Sequence, residues 1–327
     1  MALLEMARLP KDFDGLLLET SRCPSRELRR PRGRGRQRRG QQVRALEEEA
    51  KLDGCGRKYM RKNKVKELLR AGGVAFGTNI FEFGTTGIAR IVAEAGADFI
   101  FLDMEHTGWS IETIRTMIAS TGGLDLVPVV RPPALHYHLL SAPLDMGAMG
   151  LIIPMVETEE QACMIVQSAK YYPAGQRGAA FGFAHDDYKV GDVFEKMKSA
   201  NEEVLLAALV ETATGIENVD RIAAVEGIDV LQVGQFDLTN SLGIPGQFEN
   251  PTYKRALDRV LDACMRNGKA AGFMATSVEE GQRLLEQGFR FIEYWGDIFI
   301  YRQALGQAIA ALRESASAAR VSTQSRK

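Results

Sequence analysis

A chain of 327 residues, 45% hydrophobic and 25% charged, has the composition of a soluble protein with a sizeable core and room for one large domain or two average ones. Its formal net charge of -1 excludes a molecule that as a whole attracts nucleic acid or an anionic membrane. No apolar run reaches membrane-spanning length, residues 1–13 lack a signal peptide's apolar stretch, and the four cysteines show no CxxC spacing, so the reading is a cytoplasmic protein without a zinc or redox motif.

Residues 1–59 differ from the rest. The run RRPRGRGRQRR at 29–39 packs seven arginines into eleven positions, and such a block repels itself and buries no core. It is expected to be a disordered extension; the competing reading, a nucleic-acid-binding arm, is disfavoured and predicts salt-sensitive binding that deletion of 1–59 abolishes. Met60 opens MRKNKVKELL, the expected start of a folded domain over 60–315, with 316–327 as a flexible tail. From residue 74 onward, short β-rich apolar runs alternate with segments of helical period. Strands are predicted at 74–78, 99–103, 126–131, 151–154, 205–211, 230–234, 270–273 and 291–294. Helices are predicted at 86–95, 111–120, 136–146, 159–170, 215–225, 251–267, 277–287 and 298–313. Ser110, Thr158 and Ser277 stand where N-caps belong, and Gly96, Gly268 and Gly288 where helices stop. A long insertion, 175–201, separates the fourth helix from the fifth strand and holds His185, Asp186 and Asp187.

Eight strand–helix units in about 240 residues is the count of an α/β (β/α)8 TIM barrel. A doubly wound open sheet is the alternative, but the first strand leads into Gly77-Thr78-Asn79-Ile80 rather than a GxGxxG turn. In a barrel the active site gathers at the C-terminal strand ends. Those ends carry Asp103, Glu105 and His106 on strand two, Arg131 on three, Glu211 on five and Asp237 on six. Glu211 and Asp237 on neighbouring strands suit a hard divalent cation, Mg²⁺ or Mn²⁺ with Co²⁺ as a further candidate. Their bland readings are a rim salt bridge and a helix N-cap. His106 is the natural general base near neutral pH, with Asp103 or Asp145 available to orient it; Arg131 balances the charge of a bound 2-oxo acid. No lysine falls at a C-terminal strand end, so a Schiff-base mechanism lacks its nucleophile.

The motifs DMEH (103–106), VVRP (129–132), LDMGAMGLIIPMVET (144–158), YYPAGQRG (171–178), VET (210–212), FDLTNSLG (236–243) and AAGF (270–273) together resemble the HpcH/HpaI family of class II pyruvate aldolases. The resemblance runs from about 77 to 312. It implies a metal-dependent carbon–carbon lyase that cleaves or forms a 4-hydroxy-2-oxo acid through a pyruvate enolate, giving pyruvate and an aldehyde. It implies His106 as base, Arg131 as the enolate-stabilising group, Glu211 and Asp237 as metal ligands, and Asp145 rather than Asp103 as the acid that raises the histidine's basicity. It also implies a homohexamer exchanging C-terminal helices. Two positions depart from the family pattern. Leu209 stands where a glutamine is usual, and Gln235-Phe236 replaces proline and a small residue whose backbone N–H meets the keto-acid carboxylate. These, with Trp295 after strand eight, are expected to reshape the pocket. The rival activities are a citrate-lyase-like cleavage of an acyl-CoA ester and decarboxylation of oxaloacetate.

Overall fold

The computed structural model describes residues 60–324; the arginine-rich extension predicted for 1–59 lies outside them. The elements follow the order α1 (Lys64–Arg70), β1 (Ala75–Ile80), α2 (Ile88–Glu94), β2 (Phe99–Asp103), α3 (Ile111–Ser120), β3 (Val127–Arg131), α4 (Tyr137–Asp145) and β4 (Gly150–Ile153). They continue as α5 (Glu159–Ala169), a 3₁₀ turn (Ala184–Asp186), α6 (Val193–Glu203), β5 (Leu205–Val210), α7 (Ala213–Glu217), α8 (Val219–Ala224) and β6 (Val230–Val233). The last are α9 (Gln235–Ser241), α10 (Pro251–Asn267), β7 (Ala270–Ala275), α11 (Val278–Gln287), β8 (Phe291–Gly296) and α12 (Asp297–Gln324). The strands are parallel, each pairs with the next, and β8 closes on β1, making the predicted eight-stranded barrel.

Two apolar layers hold it. Side chains alternate across each strand, so one set fills the barrel and the other meets the helices. The interior set includes Ala75, Phe99, Val127, Val129, Ile152, Leu205, Ala207, Val230 and Phe291. Phe99 and Phe291 stack there with ring centroids 4.2 Å apart. Gly77 makes that stack possible, because a Cβ at 77 would lie 2.4 Å from the Phe99 ring. Helix α1 adds Val65 and Leu69 to the same cluster and so stoppers the N-terminal end. Its Lys66 is buried and pairs with Asp229 at 2.7 Å. Beyond closure by strand pairing, the Asp297 carboxylate accepts N–H bonds from Phe81, Glu82 and Phe83 at 3.0, 3.0 and 2.7 Å, clasping the two chain ends of the barrel together.

Caps set helix boundaries as predicted. Thr158 and Gln161 form a reciprocal capping box at α5, and Gly268 ends α10 in the left-handed region at φ +65°. The predicted helix 215–225 is two helices hinged at Asn218, whose ψ of 2° interrupts the helical path. The predicted loop 175–201 contains the 3₁₀ turn and part of α6, begun by the Asp192 side chain accepting from Glu195 N–H at 2.9 Å.

Candidate active site

At the C-terminal mouth, β2 and β3 pair with Asp103 directly beside Arg131. That register lets the guanidinium fork grip the carboxylate: Arg131 Nε and Nη2 each donate to Asp103 at 2.8 Å. Asp103 is fully buried, and its oxygens also accept the backbone N–H of Glu105 at 2.9 Å and of His106 at 3.3 Å. One carboxylate therefore folds the DMEH turn and fixes the arginine. The Glu105 carboxylate approaches Arg131 Nε at 3.2 Å, and the Phe101 ring lies beneath the guanidinium at 5.4 Å. The His106 ring is 57% exposed at the rim, with Nε2 3.6 Å from Glu105 Oε2.

Glu211, just past β5, is 4% exposed and accepts the Met155 N–H at 2.8 Å. Met155 takes the left-handed backbone conformation, φ 56°, a strained one for a side chain of its size, which turns that N–H toward the carboxylate. Burial pushes the Glu211 carboxyl up to about 7; the nearby charges of Glu105 and Asp237 add to the rise, while the Met155 N–H and Arg131 oppose it. Burial likewise raises Glu105, against the pull of Arg131. Asp237 sits in the first turn of α9, which starts directly after Gly234. A Cβ on Gly234 would lie 2.2 Å from Glu211 Oε2, so the glycine keeps that oxygen open. The desolvated Glu211 carboxylate, with an open oxygen and with Glu105 and Asp237 beside it, is a donor that a hard divalent cation fits, since the cation offsets the burial and repulsion that raise the Glu211 proton affinity. Among the described residues, no group of three or more His, Cys, Asp or Glu side chains is placed to hold a metal ion, so the carboxylates on offer are the pair Glu211 and Asp237 with Glu105 nearby.

These residues surround a cavity of about 630 Å³. His106, Arg131, Leu209, Glu211, Gln235, Phe236 and Asp237 all line it, and among the described residues no lysine does. Leu209 lies inside the barrel, 3% exposed; Gln235 is anchored by Nε2 donating to the Met274 carbonyl at 3.0 Å; Phe236 is 57% exposed and meets Phe248 edge-on. Trp295 stacks on Phe299 at 5.5 Å and has φ 42°, and Arg302 of α12 reaches the same rim. Asp145 is placed elsewhere: it ends α4, pairs with Arg177 at 2.5 Å and is not among the lining residues. Asp103 meets the backbone of His106 through Oδ2. The carboxylate in reach of the imidazole is Glu105. Sequence reasoning noted Glu105 without assigning it a role, and it passed over Asn79, Gln232 and Glu293, which also line the cavity. An acid inside the apolar run FIEYW was the available signal for Glu293. A larger hollow, about 760 Å³, lies at the opposite end beside Lys66, Lys170, Lys269 and Asp229. Burial lowers Lys170 to about 8, but its Nζ is occupied by the Asn201 carbonyl at 2.7 Å.

Known proteins resemble this chain in sequence and in fold. The model of the HpcH/HpaI aldolase/citrate lyase family matches residues 84–304. The 2-keto-3-deoxy-L-rhamnonate aldolase of Escherichia coli strain K12 is 33% identical over 260 residues, covering 79% of this chain and 96% of that protein. The crystal structure of an HpcH/HpaI aldolase from Desulfitobacterium hafniense DCB-2 matches with a TM-score of 0.73 and 30% identity over 76% of this chain and 96% of its own. The citrate synthase SbnG matches with a TM-score of 0.69 and 26% identity over 77% and 98%. The chain belongs to the HpcH/HpaI aldolase/citrate lyase family and is a carbon–carbon lyase of the aldolase type.

Proposed function

We propose that the enzyme cleaves, and in reverse forms, a 4-hydroxy-2-oxo acid by way of the pyruvate enolate, with pyruvate and an aldehyde as the other side of the reaction. One observation carries this reading: a largely buried guanidinium, fixed by two parallel bonds to Asp103, stands in a cavity lined by no lysine among the described residues, with two carboxylates suited to a divalent cation. Without lysine there is no imine route, so the developing charge on the C2 oxygen must be met electrostatically. Arg131 serves that oxygen. Glu211 and Asp237 would hold Mg²⁺, Mn²⁺ or Co²⁺, which when bound supplies the Lewis acid for the same oxygen. His106, at the open rim, takes the proton of the C4 hydroxyl in cleavage. The Phe236 main-chain N–H, in the first turn of α9, would donate to the acid's carboxylate, and the Phe236 side chain with Trp295 would narrow the way in for the aldehyde. Asp145 keeps its role as helper of His106 as a proposal; Asp145→Asn should then move the pH profile of kcat.

The enzyme is further proposed to be a homo-oligomer. On α12, Tyr301, Leu305, Ile309 and Leu312 are 58, 46, 42 and 66% exposed, an apolar row at helical spacing that self-association would cover. No helix among the described residues is long and apolar enough to cross a membrane.

The test is to mix pyruvate, the full chain and Mg²⁺, Mn²⁺ or Co²⁺ in D₂O and follow the methyl signal. Metal-dependent exchange is expected, together with cleavage of 4-hydroxy-2-oxo acids. Absence of exchange with all three metals would falsify the enolate mechanism. Oxaloacetate decarboxylation needs the same enolate and should be present; turnover of an acyl-CoA ester exceeding cleavage of the hydroxy acid would instead favour the citrate-lyase-like activity.

A further inference from the structure

The barrel's inner wall is uneven. Phe101, Val129, Ile152 and Leu209 make one side apolar. On the other, Asn79 of β1, Gln232 of β6 and Glu293 of β8 are each 3% exposed or less. Asn79 Oδ1, Gln232 Oε1 and Glu293 Oε1 all lack a hydrogen-bond partner among the described residues. Space for this polar arc comes from Gly272 on β7, where a Cβ would lie 2.0 Å from Gln232 Oε1. A buried acceptor without a donor costs about 1–3 kcal/mol, and native cores rarely hold three together without a reason. All three residues line the candidate substrate cavity, and of the three only Glu293 can give or take a proton.

Resting on the aldolase reading of the site, we propose that Glu293 is a second acid–base group, moving the proton at C3 of the pyruvate unit while His106 moves the one at the C4 oxygen. Depth divides the work. His106 is 57% exposed, where the aldehyde would leave; Glu293 is sealed at 3% within reach of the Arg131 charge, and would face the pyruvate unit held there. Asn79 is the polar neighbour that favours the charged carboxyl, and Oε1 is without a partner among the described residues. The charged groups acting on it are Arg131 and Asp103; burial, against the pull of Arg131, places it at about 7, so both forms are present at neutral pH.

In cleavage, His106 accepts the C4 hydroxyl proton and the C3–C4 bond breaks. Its electron pair becomes the C2–C3 double bond of the enolate, C4 becomes the aldehyde carbonyl, and the C2 oxygen bears the charge. Protonated Glu293 then gives its proton to C3. The enolate pair forms the new C–H bond, the C2 carbonyl returns, and solvent passes the proton lost by His106 back to Glu293. In synthesis, the Glu293 carboxylate removes a methyl proton from pyruvate.

The test uses the full chain with Mn²⁺ and compares two reactions in wild type and Glu293→Gln. Methyl exchange in D₂O requires proton removal at C3; release of CO₂ from oxaloacetate reaches the enolate without it. Exchange is expected to fall about 100-fold in Glu293→Gln, with CO₂ release held within about threefold. Exchange within about threefold of wild type would overturn the proposal, as would an equal fall of both reactions, the mark of a merely structural group. Should Glu293→Gln not fold, Glu293→Leu, which removes the buried polar group altogether, gives the same comparison. Wild type lacking both reactions would sink the aldolase reading and this inference with it; wild type performing both isolates Glu293.

Discussion

Arg131 and Asp103 form a pair that substitution cannot treat as two independent residues. Arg131→Ala strands a fully buried carboxylate, an uncompensated charge worth about 3–5 kcal/mol of stability, so lost activity would be mixed with lost fold. Arg131→Lys keeps the cation but not the fork. It should lower kcat about 10²–10³-fold while circular dichroism and melting remain close to wild type; kcat within a few-fold of wild type would mean the fork is not needed at the C2 oxygen. Glu293 makes a second, electrostatic prediction. Its ordinary carboxyl range is 4.5 and burial raises it to about 7 in the fold. Between those values the folded chain binds the proton that the unfolded chain has released, so this group's contribution to stability is lost as pH rises through the window. Glu293→Gln, which never ionises, should gain melting temperature relative to wild type from pH 4.5 to pH 7.5. A difference that stays flat over this range would show that Glu293 is not displaced. His106, Arg131, Glu211 and Asp237 were legible from their places at strand ends. Glu105's grip on the arginine was not, because strand position does not say which of two nearby acids turns inward.

Elements were legible where apolar spacing is strong. All eight strands were found, since parallel strands buried on both faces read as continuous apolar runs. Helix α9 was missed: seven residues, QFDLTNS, offer too few turns for a periodic signal. The break at Asn218 was missed because the apolar pattern of 215–225 continues through it, and only ψ at one residue departs. Helix α12 runs 28 residues, past the predicted end at 313. Its apolar row makes a prediction at this scale. Placing charges at the middle of the row, with Leu305→Glu and Ile309→Glu together, should convert the proposed homo-oligomer to smaller species in analytical ultracentrifugation, leaving the barrel's far-UV spectrum intact. An unchanged sedimentation profile would remove α12 from the interface.

For the whole molecule, closure is the decisive property. β1 pairs with β2 and β8, and the Asp297 clasp reaches three N–H groups in the chain after β1. Those donors lose a charged acceptor in Asp297→Ala, a charge-assisted bond being worth roughly 1.5–3 kcal/mol. The variant should unfold in one transition at a lower temperature; an early, separate loss of part of the signal would show that the barrel opens at this seam before the rest melts.

The same seam matters before the protein is finished. Phe81 and Asp297 are 216 residues apart in sequence. At a synthesis rate of about 5–20 residues per second, the growing chain waits roughly 10–40 s between making one lip of the seam and the other. During that interval β1 is an unprotected sheet edge, able to pair with any neighbouring nascent chain. The clasp that steadies the finished barrel arrives only after its eighth strand, so slowing translation should raise aggregation of this protein while leaving the stability of molecules already closed untouched.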